Sequence, residues 1–235
     1  AGAAAVGALR CGLTSSGARA GYVSEAGAVC NTTQSRGGRV SVELSTNGRD
    51  FTSGGVAYEF VHAVVSGVAP WSGPELGGTV VTVAGAGLSQ VALELRCRFG
   101  AQLAVAASVH GDAGVRCVSP AGAAGGLAAR WVGVELLSGT EVLRSGGSFY
   151  VHGALSVSSV HPSSGPVLGG TRLTVLGARF REAATLRCRF VQKHNTVAAR
   201  AVDASQLECA APASSGVGAR RVEVSLNAQQ HSSAR

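Results

Sequence analysis

Residues 132–136 alternate Val-Gly-Val-Glu-Leu and residues 222–226 alternate Val-Glu-Val-Ser-Leu. Strict alternation of this kind marks a half-buried β-strand, with one face in a core and the other in water. Val40, Val42 and Leu44 show the same pattern near the start of the chain. Leu95-Arg-Cys-Arg-Phe99 places Leu95, Cys97 and Phe99 on the inner face of a strand and Arg96 and Arg98 on the outer. Leu186, Cys188 and Phe190 repeat this with Arg187 and Arg189 outside, and Leu9, Cys11 and Leu13 form a third instance. No window longer than about ten residues carries a 3.6-residue apolar stripe. The pattern predicts an all-β chain.

The strands recur at a fixed interval. Pro70-Trp-Ser-Gly-Pro-Glu-Leu-Gly-Gly-Thr-Val-Val-Thr-Val-Ala-Gly85 returns 92 residues later as Pro162-Ser-Ser-Gly-Pro-Val-Leu-Gly-Gly-Thr-Arg-Leu-Thr-Val-Leu-Gly177. The Val-x-Val-x-Leu runs at 40, 132 and 222 follow with offsets of 92 and 90. Such self-similarity indicates tandem units that bind or space, seldom catalyse. It predicts the C-terminal part of a truncated unit at 1–62, a complete unit at 63–152 and a nearly complete one at 153–235. Both ends are expected to cut through a domain, making the chain a piece of a longer one, and residues 1–62 are not expected to fold alone, because half a sandwich leaves an apolar face and a strand edge uncovered. The linkers are read as Ala63 to Val68 and Gly153 to Ser159, short but long enough for a hinge.

Gly77-Gly78 and Gly169-Gly170 precede the Thr-x-x-Thr-Val strands, where paired glycines supply the positive φ of a tight turn. A phosphate-cradling loop would lead into a helix instead, and Val80-Val-Thr-Val83 is strand-like.

All six cysteines belong to the repeat: Cys11 and Cys30, Cys97 and Cys117, Cys188 and Cys209. Even number and equal spacing favour a disulfide within each pair, and so an oxidising compartment. Closing a loop of about twenty residues is worth about 3 kcal/mol on the chain-entropy model. The alternatives are free buried cysteines in a cytosolic sheet protein, zinc, for which Cys-x-x-Cys spacing is missing, and a catalytic thiol. Asn31-Thr32-Thr33 is a sequon directly after Cys30, which makes Asn31 a glycosylation candidate.

Composition adds a source and a charge. Ile and Met are absent and Lys occurs once against nineteen Arg, a bias expected of a GC-rich genome. The net charge of +7 is uneven: residues 153–235 hold ten Lys plus Arg against four acids, while the two earlier units are near balance. Arg179, Arg181, Arg187, Arg189 and Lys193 are therefore candidates for a patch that meets a glycan or an acidic partner; the competing reading is a solvated face. No stretch approaches the eighteen apolar residues of a membrane span. The six histidines are scattered, and neither a nucleophile elbow nor a paired-carboxylate motif is present, so no catalytic, cofactor-binding or metal-ligating residue is nominated. Trp71 replaces Ser163 of the next unit, which marks it as a junction residue: an exposed anchor or, the favoured reading, one packed on the preceding domain.

Together, Pro-x-x-Gly-Pro-x-x-Gly-Gly-Thr-x-x-Thr-Val-x-Gly, Leu-Arg-Cys-Arg-Phe, the Cys-x-x-Pro of Cys117–Pro120 and Cys209–Pro212, and Val-x-Val-x-Leu resemble the IPT/TIG family of immunoglobulin-like domains. The first unit departs from this at Cys30-Asn-Thr-Thr33, so its bridge is the weakest of the three; its Ser45–Phe51 and Tyr58–Phe60 segments look like the family's closing strands. The resemblance implies early-set β-sandwiches strung in series as a semi-rigid rod. Related domains occur in plexin-like and scatter-factor-receptor-like ectodomains, fibrocystin-like ciliary proteins, bacterial and algal surface proteins, amylolytic enzymes and Rel-type transcription factors, and fold alone does not choose among them.

The leading expectation is a spacer, adhesive or assembly segment of a large secreted or cell-surface glycoprotein, ciliary surface included, whose protein partners and neighbouring repeats meet it through sheet edges and exposed faces. The first rival is a ligand-binding ectodomain of plexin-like or fibrocystin-like type. A Rel-like nuclear module is a further rival, disfavoured because the array has several copies and no second basic base-reading element, which makes nucleic acid an unexpected partner. The last rival is an accessory module of a carbohydrate-active enzyme, for which Trp71 and Trp131 are the available exposed aromatics.

Overall fold

A computed structural model describes residues 9–13, 16–24, 27–30, 38–61, 63–91, 94–111, 114–122, 129–139, 141–191 and 195–232, all in strands, turns and extended loops with no helix among them. The chain forms two compact units, residues 1–62 and 63–235. In the first, β1 (Arg10–Leu13), β2 (Ser16–Ser24), β3 (Gly27–Cys30), β4 (Gly38–Ser45) and β5 (Ala57–Phe60) lie in the order β3-β2-β1-β4-β5. Cys11 is the one fully buried apolar residue described there.

The second unit holds two sandwiches, each with its own hydrophobic core. The middle sandwich runs β6 (Val64–Ala69), β7 (Ser72–Pro74), β8 (Val80–Ala86), β9 (Leu95–Phe99), β10 (Val105–Val109), β11 (Gly114–Val118), β12 (Arg130–Ser138) and β13 (Glu141–His152). The last runs β14 (Ser156–His161), β15 (Arg172–Ala178), β16 (Arg187–Phe190), β17 (Asn195–Ala201), β18 (Gln206–Ala210) and β19 (Val222–Ser225). One strand in each joins the two sheets: β10 bonds β9 through Val105 and Ala106, then β11 through Ala107–Val109. In the same way β17 bonds β16 through Asn195–Ala198 and β18 through Ala199–Ala201.

Alternation sets the core. Leu95, Cys97 and Phe99 are buried, with Val132, Val134 and Leu136 of β12 beside them. On the outer face Arg98 pairs with Glu135, which stands opposite it in the register, and Arg189 pairs with Glu223 in the same way. Disulfides tie Cys11 to Cys30, Cys97 to Cys117 and Cys188 to Cys209, with Cα–Cα distances of 6.1, 6.2 and 6.5 Å. In the two sandwiches the bridge links the ladder of β9 or β16 to that of β11 or β18, on either side of the strand that passes between them.

The Gly-Gly turns adopt positive φ: 74° and 81° at Gly77 and Gly78, 77° and 82° at Gly169 and Gly170. A Cβ at Gly77 would lie 2.6 Å from the backbone of Pro120 and Ala121, so the close approach of two chain segments also demands glycine there.

One expectation needs correcting. The linkers expected at Ala63–Val68 and Gly153–Ser159 are mostly strand, because Val64–Ala69 and Ser156–His161 pair with β8 and β15 as opening strands; only Gly153–Leu155 connects the sandwiches. The register of β19 also departs from that of the other units. Cys97 faces Leu136 across the sheet and Cys11 faces Leu44, whereas Cys188 faces Val224, two residues before Leu226, the counterpart of Leu136 in the repeat. A slip of two keeps the same side chains inward, which is why the pattern alone does not expose it.

Candidate interaction surface at the sandwich junction

The slip carries residues 226–232 into a turn. Ser225 donates from Oγ to Asn227 Oδ1 at 3.2 Å, and the amides of Gln229 and Gln230 donate to the same oxygen at 3.0 and 3.1 Å. The chain then doubles back, with Ser232 N donating to Val224 O at 2.7 Å and Val224 N to Ser232 Oγ at 3.0 Å. A buried asparagine that gathers this many backbone groups is a structural nucleus, since an unmet buried donor costs about 1–3 kcal/mol.

The far side of this turn grips the preceding sandwich. Gln229 pairs with both backbone groups of Val80, accepting from its N–H at 2.9 Å and donating to its C=O at 2.8 Å. Gln230 donates to Gly78 O at 2.9 Å and accepts from Thr79 Oγ1 at 2.9 Å. Asn227 Nδ2 lies 3.1 Å from Ser72 O and 3.2 Å from Thr79 Oγ1. Ser72 Oγ, buried in the same place, has no hydrogen-bond partner among the described residues.

An aromatic cluster flanks the grip. The Trp71 and Trp131 rings stack with centroids 5.5 Å apart, and Tyr150 lies 5.3 Å from Trp131. Arg181 of the last sandwich closes over it, 4.6 Å from the Tyr150 ring centre and 5.8 Å from that of Trp131. A cation over an aromatic face contributes about 1 kcal/mol. Trp71, expected to pack on the preceding domain, instead packs against the core of the sandwich that follows it, while Trp131 stays 50% exposed. His152, buried beside them, donates from Nδ1 to Gly153 O at 2.9 Å in its neutral form. Burial holds its pKa below the usual histidine value, partly countered by the Gly153 carbonyl and the charge of Glu75.

The structure scatters the nominated arginines. Arg179 donates to Ala154 O at 3.0 Å, Arg181 covers the aromatics, Arg187 bonds the carbonyls of Ala184 and Leu186, and Arg189 holds Glu223. Lys193 and Asn31 lie outside the described residues. Among the described residues no three His, Cys, Asp or Glu side chains gather as metal ligands, and no helix is long and apolar enough to cross a membrane. Sequence reading missed Asn227, Gln229 and Gln230. The signal was there in the spacing Ser45-x-Asn47 with Thr52, repeated as Ser225-x-Asn227 with Ser232.

Comparison with known proteins agrees with this architecture. The extracellular region of plexin A4, domains 1 to 10, is 17% identical with a TM-score of 0.52, over 96% of this chain and 20% of that chain. A second structure of that region, domains 1 to 8, gives 15% and 0.47, over 96% and 29%. A Bacteroides ovatus protein, SGBP-B of a mixed-linkage glucan utilization locus, in complex with a heptasaccharide, gives 10% and 0.28, over 98% and 57%. At these identities the first likeness is one of fold alone, and the other two carry no argument. No curated protein matches the chain. The IPT/TIG domain model matches residues 63–148 and 155–234, covering most of the chain in two consecutive copies. By those matches and by the sandwiches that they span, the chain belongs to the IPT/TIG domain family.

Proposed function

We propose that the chain is a spacing and assembly segment of a large secreted or cell-surface multidomain protein, non-catalytic and working through serial immunoglobulin-like modules. The observation that carries this reading is the joint at Ser72–Val80, where the turn of one sandwich is hydrogen-bonded to the backbone of the one before it. A joint that fixes the angle between neighbours is what a spacer needs. The disulfides within units support an oxidising, extracellular setting. Residues 1–62 fit the reading as the closing half of a further IPT/TIG unit, since their Asn47 turn is built like the Asn227 turn. Attachment of glycan at Asn31 and residence on a ciliary surface belong to the same proposal.

A second reading, a ligand-binding ectodomain of plexin-like type, draws on the likeness of fold to the plexin A4 extracellular region. Small-angle scattering of the intact chain and of a Gln229→Ala/Gln230→Ala variant separates the two. The spacer reading expects one fixed inter-sandwich geometry that the variant loosens. Equal flexibility in both proteins would remove its basis. Mass spectrometry of natively isolated protein should find no free thiol, and six reduced cysteines would overturn the extracellular assignment.

A further inference from the structure

Gly100, Gly133 and Ser148 form the floor of a shallow trough on the outer face of the middle sandwich. Gly133 of β12 pairs with Ser148 of β13 on one side, and on the other its carbonyl accepts from the Gly100 amide at 2.8 Å. A Cβ at Gly133 would meet no atom within 4 Å, so the space above it is open. Alternation puts Trp131 and Glu135 on this same face, two residues to either side of Gly133 and about 13 Å apart along the strand. At one end of the trough stands the half-exposed ring of Trp131, backed by Trp71 and Tyr150. At the other stands the partly exposed Arg98–Glu135 ion pair. Every strand that borders the trough belongs to the middle sandwich.

The fold demands none of this. By the register against the buried cysteines, the last sandwich has Arg221 where Gly133 stands, Val191 where Gly100 stands and Ala219 in place of Trp131. The first unit has Ser41 and Arg39 in place of Gly133 and Trp131. An aromatic ring held half open among polar groups fits a partner with one apolar face and a polar rim. A large apolar protein surface would find a single ring there, and an added strand would find no free edge at Gly133, which has a neighbour on both sides. A pyranose sugar matches, because its C–H bonds gather on one face of the ring and its hydroxyls lie around the rim. The polar groups at hand are of the right kind: Ser148 donates and accepts, Glu135 accepts, and the Arg181 guanidinium over the aromatics has no acceptor among the described residues.

We propose that the trough binds a short neutral oligosaccharide, with one pyranose stacked on Trp131 and the next lying over Gly133 and Gly100. Hydroxyls of the first meet Arg181, and those of the second meet Ser148 and Glu135. The ion pair cancels its own charge, so the site has no call for an acidic sugar. The inference stands apart from the spacer reading: a chain that spaces but holds no sugar loses this inference and keeps that one.

The test titrates neutral hexasaccharides of β-1,4-linked glucose, mannose, galactose and xylose, up to about 10 mM, into the isotopically labelled 235-residue chain. At least one should shift the Trp131 indole N–H and the amides of Gly100, Gly133 and Ser148 saturably. Trp131→Ala should weaken that binding roughly tenfold, the worth of covering the open half of one aromatic ring. Gly133→Arg matches the residue of the last sandwich at a place where a Cβ meets nothing. It should abolish binding and leave the amide spectrum of the last sandwich unchanged. No saturable shift with any of the four sugars, or binding indifferent to Gly133→Arg, would overturn the proposal.

Discussion

The turns at Ser45–Thr52 and Ser225–Ser232 share one scaffold and differ at the tip. In both, the serine hydroxyl donates to the asparagine two residues on, at 3.0 and 3.2 Å, and the asparagine oxygen accepts the next two free amides. In both, the returning hydroxyl residue bonds the strand that led in: Thr52 N to Leu44 O at 2.9 Å, Ser232 N to Val224 O at 2.7 Å. At the tip, Gly48, Arg49 and Asp50 stand where Ala228, Gln229 and Gln230 stand in the last sandwich. Scaffold residues answer to the fold and tip residues to what the turn touches. The second tip carries two neutral amides, each able to donate and accept at once, and both are bonded to the backbone of the middle sandwich.

Breaking the scaffold should separate the turns most sharply. Asn227→Ala removes a buried acceptor of two amides and a donor to the middle sandwich, and a loss of about 3 kcal/mol is expected in chemical denaturation. Asn47→Ala, at a more exposed turn, should cost about 1 kcal/mol. A smaller effect is expected at the tip. Gln229→Ala and Gln230→Ala should each cost about 1 kcal/mol, with both sandwich cores intact by amide exchange and the loss confined to protection near Gly78–Val80.

Glycine exchange sharpens the comparison further. Ala228 holds φ of 60° where Gly48 holds 73°. Ala228→Gly should therefore stabilise the last sandwich by up to about 1 kcal/mol, and Gly48→Ala should destabilise the first unit by a similar amount, both read from thermal midpoints. The smallest signal is in pH. His152 has a folded pKa below its unfolded value of 6.5 because it is buried. Its neutral form stabilises the fold above that pH, and stability declines as pH falls, because the unfolded chain takes the proton first. Titration of the denaturation midpoint downward from neutral should show the decline, and His152→Gln should flatten it.

The sandwiches were legible because the period of two in Leu95–Phe99 and Leu186–Phe190 and the Gly-Gly-Thr turns are local signals repeated at constant spacing. The joint was not legible, because Gln229 and Val80 are 149 residues apart and an exposed glutamine in a turn looks like any solvated residue. Ala63–Val68 reads as a linker because Ser66 and Gly67 interrupt the alternation, which β6 absorbs in a register shift between Val65 and Gly67 as it pairs with β8. Trp71 was read at the right junction but on the wrong side: the sequence favoured packing on the preceding domain, whereas the ring lies against the core of the sandwich that follows, because Gln229, Gln230 and Arg181, which bring that sandwich up beside it, are far away in the sequence.

The amides of Gln229 and Gln230 have a consequence for where such a protein can live. Their grip joins uncharged groups to uncharged peptide units, and dissolved ions have nothing there to screen. Apart from the guanidiniums of Arg181 over the aromatics and Arg179 on the connecting segment, the articulation is expected to keep its strength from pond water to brine.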